Sequence, residues 1–384
     1  MPSIFDYLRQ QRIPMERLLR TLVEHETPSD SKQALDTFAE IMRGELKEIG
    51  ASVEIRKDCS VGNHLRAEWD LRTPRDREPD SGQILLLCHT DTVWPVGEVS
   101  RRPFRVEGDR CFGPGALDMK GGIVLSYFAV KALIDLGLPS RLRIVCLLTS
   151  DEEVQSHASR PLIESEAKRS KYVLCLEPAS PFGDVKTFRK GVATFAMEIT
   201  GKAAHAGVDP EKGVSAIHEL ARQILELHRL NDPATGTTVT VGVVSGGTRP
   251  NIVPAAARAM IDVRFSTTEE GERLTRLIQS LAPTLPGTSI TISGGIDRPV
   301  MERTPEVVAL YHRAREIAAR LGFELGEGGT GGVSDANFTA DLGIPTLDGL
   351  GPTGEGAHAL TERADMNSFP QRAALLAELL RSLA

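Results

Sequence analysis

Three apolar runs in this chain end on ionisable side chains: QILLLC leads into His89, Thr90 and Asp91, IVCLLTS into Asp151, Glu152 and Glu153, and YVLCL into Glu177. A glycine-rich turn, GPGALDMKGG, carries Asp118, and GEGAHAL brings His358 near the end of the chain. Imidazole and carboxylate side chains suit zinc, and two neighbouring ions need one carboxylate with an oxygen for each. Asp118 is the candidate bridge. Glu152 and Glu153 are adjacent at a strand end, where successive side chains point in different directions, so one is expected to bind metal and the other to move protons. Asp91, two residues after His89, can hold the second imidazole nitrogen and fix the tautomer a metal requires. Taken singly, each residue has a plainer reading: the acidic run as a solvated loop, Asp118 as a helix cap, Glu177 as a strand exit and His358 as a surface histidine. Their conjunction at several strand ends is what points to a di-metal site.

The elements that must position these residues follow from pattern. Near-continuous apolar runs are typical of strands buried on both faces, and ligand sites of parallel sheets gather beyond the carboxyl ends of such strands. SVEIRK and HLRAEW read as two further strands, and GGIVLSYFAVKALIDLG as a helix between two buried strands, which makes a strand-helix-strand crossover. Two helices are expected earlier, around MERLLRTLVEHE and through SKQALDTFAEIMRGELKEIG, with N-cap candidates in the break Thr27–Asp30 and Gly50 as the C′ residue. From about Phe195 to Ile296 the order becomes β-α-β-β-α-β, the mark of an inserted small domain. Because His358 lies beyond that insertion, the larger domain is discontinuous. The reading is an α/β fold with a mixed, largely parallel sheet flanked by helices over 1–190 and 298–384, interrupted by a ferredoxin-like domain over 191–297. Residues 72–82 are the most loop-like stretch.

Composition narrows the classes. At 384 residues the chain exceeds the usual span of one hydrophobic core. A charged fraction of 25% with 41% hydrophobic residues is the profile of a folded protein rather than a disordered one. A net charge of -7 with no basic stripe argues against nucleic acid as a partner. Acidic and basic residues interrupt the first twenty positions, and no segment is long and apolar enough to span a bilayer, so a soluble, cytoplasmic protein with no membrane partner is expected. Five cysteines, Cys59, Cys88, Cys111, Cys146 and Cys175, show no CxxC spacing and read as reduced core residues rather than ligands.

With these motifs in order, the chain resembles a superfamily of co-catalytic zinc peptidases and deacylases that takes in glutamate carboxypeptidase, acetylornithine deacetylase, succinyl-diaminopimelate desuccinylase, aminoacylase and carnosinase. The resemblance covers most of the chain and is carried by LLLCHTDTVWP, GPGALDMKGG, TSDEE, CLEP, TGKAAHAG, GGTRPNIVPA, DVRF, GGVSDAN and GEGAHALTE. It implies two zinc ions per subunit, with cobalt or manganese fitting the same ligands. One ion would be held by His89 and Glu177, the other by Glu153 and His358, with Asp118 bridging. It further implies Glu152 as general base, and His205 as a lid histidine reaching the active site of the partner subunit in a homodimer. The inserted domain becomes a lid and dimerisation domain, and the larger one a zinc-peptidase catalytic domain.

Asn251 and Arg264 match positions that the superfamily uses around a substrate carboxylate, and Arg298 is a further candidate for a bidentate clamp. Lys190 and the loop containing Gly332 and Ser334 resemble the glutamate carboxypeptidase branch, and the loop's backbone amides could receive an anionic side chain. There are two departures: Gln155 stands where many relatives have glycine, and Met119 follows Asp118 where the nearest branch has a second aspartate. The expected activity is hydrolysis of an amide next to a free α-carboxylate in a small molecule or short peptide. The alternatives are an N-acetyl or N-succinyl amino-acid deacylase and a non-catalytic metal-binding dimerisation module.

Overall fold

In the computed structural model, which describes residues 2–77 and 82–384, the apolar runs that end on ionisable residues are the inner strands of one sheet. Residues 78–81 of the loop-like stretch lie outside the described residues. The six strands run in the order Ser52–Arg56, His64–Trp69, Arg143–Thr149, Gln83–His89, Ser170–Cys175 and Thr346–Leu347. The first two pair antiparallel to their neighbours, and the remaining four are mutually parallel, giving the mixed, largely parallel sheet expected. Every residue of Gln83–His89 is buried, which is why that strand is apolar without alternation. Register sets His89 opposite Thr149, so the strand ends carrying His89 and the Asp151–Glu153 run are level.

The helix Gly121–Asp135 is apolar on every side because it is enclosed, packing against Ile4–Gln10, Arg12–Glu24 and Ser368–Ser382. Gly122 lets it approach the sheet: a Cβ there would lie 2.1 Å from the Leu176 carbonyl oxygen. The amino-terminal region holds a helix that the pattern did not separate, Ile4–Gln10, capped by the Ser3 hydroxyl on the Asp6 amide at 3.0 Å. Gly50 has φ 77, as its C′ role requires. The break at Thr27–Asp30 is no cap, since the Ser31 N-cap makes no side-chain bond. Instead it runs beside the loop after His89: the Thr92 amide donates to the Thr27 carbonyl at 2.8 Å and the Ser29 amide to the Thr92 carbonyl at 3.2 Å.

A second sheet had no sequence signal because its strands have two or three residues each. It runs Gly354–Glu355, Arg363–Asp365, Arg110–Phe112 and Arg105–Glu107, and its first pair of strands frames the loop bearing His358.

By its contacts the chain forms two compact units: Met1–Phe188 with Arg303–Gly329 and Ser334–Ala384, and Arg189–Glu302 with Thr330–Val333. The breaks thus differ by a few residues from 190/191 and 297/298, and a short piece of the glycine-rich segment goes with the smaller unit. That unit has four antiparallel strands in the order Thr238–Gly246, Ala256–Phe265, Gly191–Thr200 and Ser289–Arg298, with helices Ala216–His228 and Thr268–Gln279. Here burial alternates, with Ala193, Phe195, Met197 and Ile199 inward, because only one face of the sheet is covered. Ser215 and Thr267 cap the two helices through their hydroxyls. Cys88, Cys111, Cys146 and Cys175 are buried and outside any disulfide, whereas Cys59 is exposed on a loop, against the expectation that it joins the core. Among the described residues no helix is long and apolar enough to cross a membrane.

Candidate metal centre

Four carboxylate and imidazole groups of the larger unit converge on Asp118. His89 Nε2 lies 3.2 Å from Asp118 Oδ1 and 3.4 Å from Glu177 Oε1. His358 Nε2 lies 3.3 Å from Asp118 Oδ2 and 3.1 Å from Glu153 Oε1. Each oxygen of Asp118 therefore faces one imidazole, and each imidazole faces one glutamate. Ligand atoms of His89, Asp118 and Glu153 all lie within 4.8 Å of one another.

The electrostatics show what this cluster favours. Burial alone would lower the His89 pKa, but Asp118, Asp91 and Glu177 outweigh it and hold the imidazole well above its ordinary value. Asp118 and Glu153 push His358 up to about 11. Burial raises Glu153, whereas Asp118 is pulled well below the usual carboxylate range, since the two histidines overcome its desolvation. Three acids in a small volume thus call for positive charge to balance them. A divalent cation on each side of Asp118 would supply that balance, with both Nε2 lone pairs turned to it. Two imidazole nitrogens and three carboxylates are a donor set that fits zinc.

Local structure explains how each group arrives. His89 Nδ1 sits 3.0 Å from the main-chain carbonyl of Asp91, and the Asp91 carboxylate is farther away at 3.5 Å. That carboxylate accepts the Glu152 and Glu153 amides, each at 3.1 Å, and the Ser29 hydroxyl at 2.8 Å. Asp91 therefore ties the Asp151–Glu153 turn to the His89 loop, a larger task than orienting one imidazole. The turn leaves through Gln155 at φ 79, the left-handed region where a glycine would sit without strain. Met119 is buried, and its Sδ receives the His89 amide at 3.1 Å.

The sequence reading missed Glu362. Buried beside the glycine turn, it accepts the amides of Gly115, Leu117 and Asp118 at 2.9, 3.0 and 3.1 Å and the Trp94 indole N–H at 2.9 Å. Burial pushes its carboxyl up, against the amide donors that favour the anion. It closes the GEGAHALTE motif, but its partners lie 244 to 268 positions upstream, beyond any local pattern.

Residues 85–382 match the profile of peptidase family M20/M25/M40. The chain belongs to that family. It is 31% identical over 388 residues to carboxypeptidase G2 of Pseudomonas sp. (strain RS-16), covering 99% of this chain and 92% of the relative. A succinyl-diaminopimelate desuccinylase of Dechloromonas aromatica (strain RCB) is 28% identical, covering 90% of this chain and 92% of that one. Among solved structures, an aminopeptidase from Bacillus cereus ATCC 10987 superposes with TM-score 0.78 at 23% identity, covering 96% of this chain and 98% of that one. A dinuclear metal-binding peptidase of the M20 family from Bacillus subtilis gives TM-score 0.73 at 17% identity, covering 97% and 98%. The fold is therefore that of M20 peptidases, and the chain is a hydrolase of peptide or amide bonds.

The remaining expected site residues of this M20 chain divide between the units. Ser334, in the larger unit, is fully buried, and its hydroxyl donates to Asp348 Oδ2 at 2.7 Å, so that hydroxyl supports the loop rather than facing a ligand. In the smaller unit Arg264 makes two bonds of 3.0 Å to Asp262 and one of 3.2 Å to the Gly331 carbonyl. Lys190 donates to the Gly236 carbonyl, Arg298 is buried, and Asn251 and Gly332 are exposed. His205 is exposed, with its Nδ1 accepting the Gly207 amide at 3.2 Å.

Proposed function

We propose that this protein is a di-metal amidohydrolase that cleaves the amide bond next to a free α-carboxylate, releasing a carboxy-terminal amino acid from a short peptide or N-acyl amino acid. The observation that carries the reading is the pairing of each Asp118 oxygen with one imidazole and one glutamate. In it, His89 and Glu177 would hold one zinc, Glu153 and His358 the other, and Asp118 would serve both. The bound ions supply a Lewis acid and lower the pKa of water at the site. Glu152, whose backbone Asp91 fixes, takes a proton from the attacking water and delivers it to the leaving nitrogen. Carboxypeptidase G2, at 31% identity over nearly the whole chain, supports an exo-acting carboxypeptidase.

Asn251, Arg298, Lys190 and Gly332 are the residues expected to recognise the substrate carboxylate, with Arg264 bracing the Gly332 loop by its bond to the Gly331 carbonyl. His205 stabilises the developing oxyanion from a partner subunit. The support for a homodimer is an edge strand, Thr238–Gly246, whose Val243 and Val244 are exposed beside exposed Ile217 and Leu225 of the neighbouring helix. Desuccinylases at 28% identity favour the second reading, an N-acyl amino-acid deacylase with the same chemistry.

The deciding experiment is a panel of peptidyl and N-acyl amino acids with zinc supplied, on the unchanged chain and on Glu152→Gln. The variant is expected to lose roughly 100- to 10,000-fold in kcat while keeping its metal. Turnover of no panel member would sink the carboxypeptidase reading, and preference for acetyl- or succinyl-amines would turn it to the deacylase. Sedimentation of a fully active monomer would remove the trans role of His205.

A further inference from the structure

Glu362 has 1% exposure and lies outside the cage, yet it touches both of the loops that complete it. Its Oε1 takes the amides of Leu117 and Asp118, and its Oε2 takes the Gly115 amide and the Trp94 indole. The indole is itself braced, since the Arg102 guanidinium stacks on it at 3.9 Å and donates to the Leu360 carbonyl at 3.2 Å. Glu98 fixes that guanidinium through Nε at 2.5 Å. Trp94, Arg102 and Glu362 thus clamp the segment that follows His358 onto the turn that carries Asp118.

This clamp bears unequally on the two sides of the cage. His358 stands in a tight loop at φ 60, after Gly356 at φ 79, and no regular strand fixes its direction. Four residues later the chain is pinned at Glu362, whose amide donates to the Ala359 carbonyl at 3.0 Å. On the side formed by Asp118 Oδ2, Glu153 and His358, two of three donors hang on Glu362. On the other side, His89 and Glu177 come from the sheet, and only Asp118 depends on it.

We propose that Glu362 is a positioning residue for one of the two metal sites, fixing Asp118 and His358 in mutual register through a buried carboxylate shared by the glycine turn, Trp94 and the His358 loop. The inference rests on the ligand assignment proposed above. Orienting groups just outside a ligand shell commonly govern metal affinity by 10- to 100-fold.

The test is calorimetric and visible-absorption titration of the metal-free full chain with Co2+. Glu362→Gln turns an N–H toward backbone N–H donors. It is expected to weaken one equivalent about 10- to 100-fold and leave the other within about threefold. Trp94→Phe keeps a ring under Arg102 and removes one donor, so the same equivalent should weaken by a smaller factor. Equal weakening of both equivalents, or no weakening of either with only a lower melting temperature, overturns the positioning role. If Glu362→Gln does not fold, the split seen in Trp94→Phe decides by the same criterion. His358→Ala separates the two readings. If it loses no equivalent, the ligand assignment fails; if it loses one while the Glu362 and Trp94 variants show no split, only the positioning role fails.

Discussion

The two halves of the cage are built by different means. His89 ends one of two adjacent parallel strands and Glu177 follows the other, the two strands pairing from Ile84–Leu87 to Tyr172–Cys175 and His89 itself pairing with Thr149, and His89 is 2% exposed. His358 leaves an irregular loop framed by two-residue and three-residue strands, takes a left-handed backbone, and its side chain is 51% exposed. A sheet-borne donor inherits precision from many cooperative contacts. A loop-borne donor needs a dedicated fastener, and Glu362 has the bonds to be one.

Variants on the sheet side should act through packing. Gly122→Ala places a methyl carbon against the Leu176 carbonyl, next to Glu177, with no flexible side chain to give way. It should cost about 1–3 kcal/mol, seen as a lower thermal midpoint of the metal-free chain. An unchanged midpoint would mean that the helix and strand are free to separate, and the sheet side would not be the rigid half.

Asp91 links that rigid side to Glu152 and Glu153. Asp91→Asn retains one acceptor but sets an N–H against a backbone amide, and kcat should fall roughly 10- to 100-fold with little change in fold by circular dichroism. A normal kcat would show that the Asp151–Glu153 turn holds itself.

The buried strands of the larger unit also predict thiol chemistry. Burial raises the Cys88 thiol well above its ordinary value and pushes Cys111 up to about 12, while Cys59 is exposed. At pH 8 a thiol of pKa about 12 is thiolate in only about one part in 10,000. Native alkylation counted by mass spectrometry should therefore mark Cys59 alone, and all five thiols in denaturant. The sign for stability follows: folded pKa values above the unfolded value leave this contribution intact below about pH 9 and erode it as pH rises toward 12. Rapid labelling of Cys88 or Cys146 at pH 8 would show that the sheet opens.

The smallest effect is expected at the turn itself. Gln155→Gly relieves a left-handed backbone but frees the unfolded chain, for a net gain of no more than about 1 kcal/mol. A loss of stability would mean that the glutamine side chain contributes more than its backbone costs.

The sequence by itself determined the longer strands, the inserted β-α-β-β-α-β unit and the polar residues at the strand ends. Apolar runs, alternation and glycine turns are local consequences of burial on two faces, on one face or on none. QILLLCH and HLRAEW coincide with their strands for that reason. Only the tertiary structure decided that Asp91 binds a neighbouring turn, that Ser334 serves Asp348, and that Glu362 holds amides more than 240 residues away. Those bonds join segments remote in the chain, and their energy comes from satisfying buried donors at one point in space. No periodicity along the sequence records that requirement.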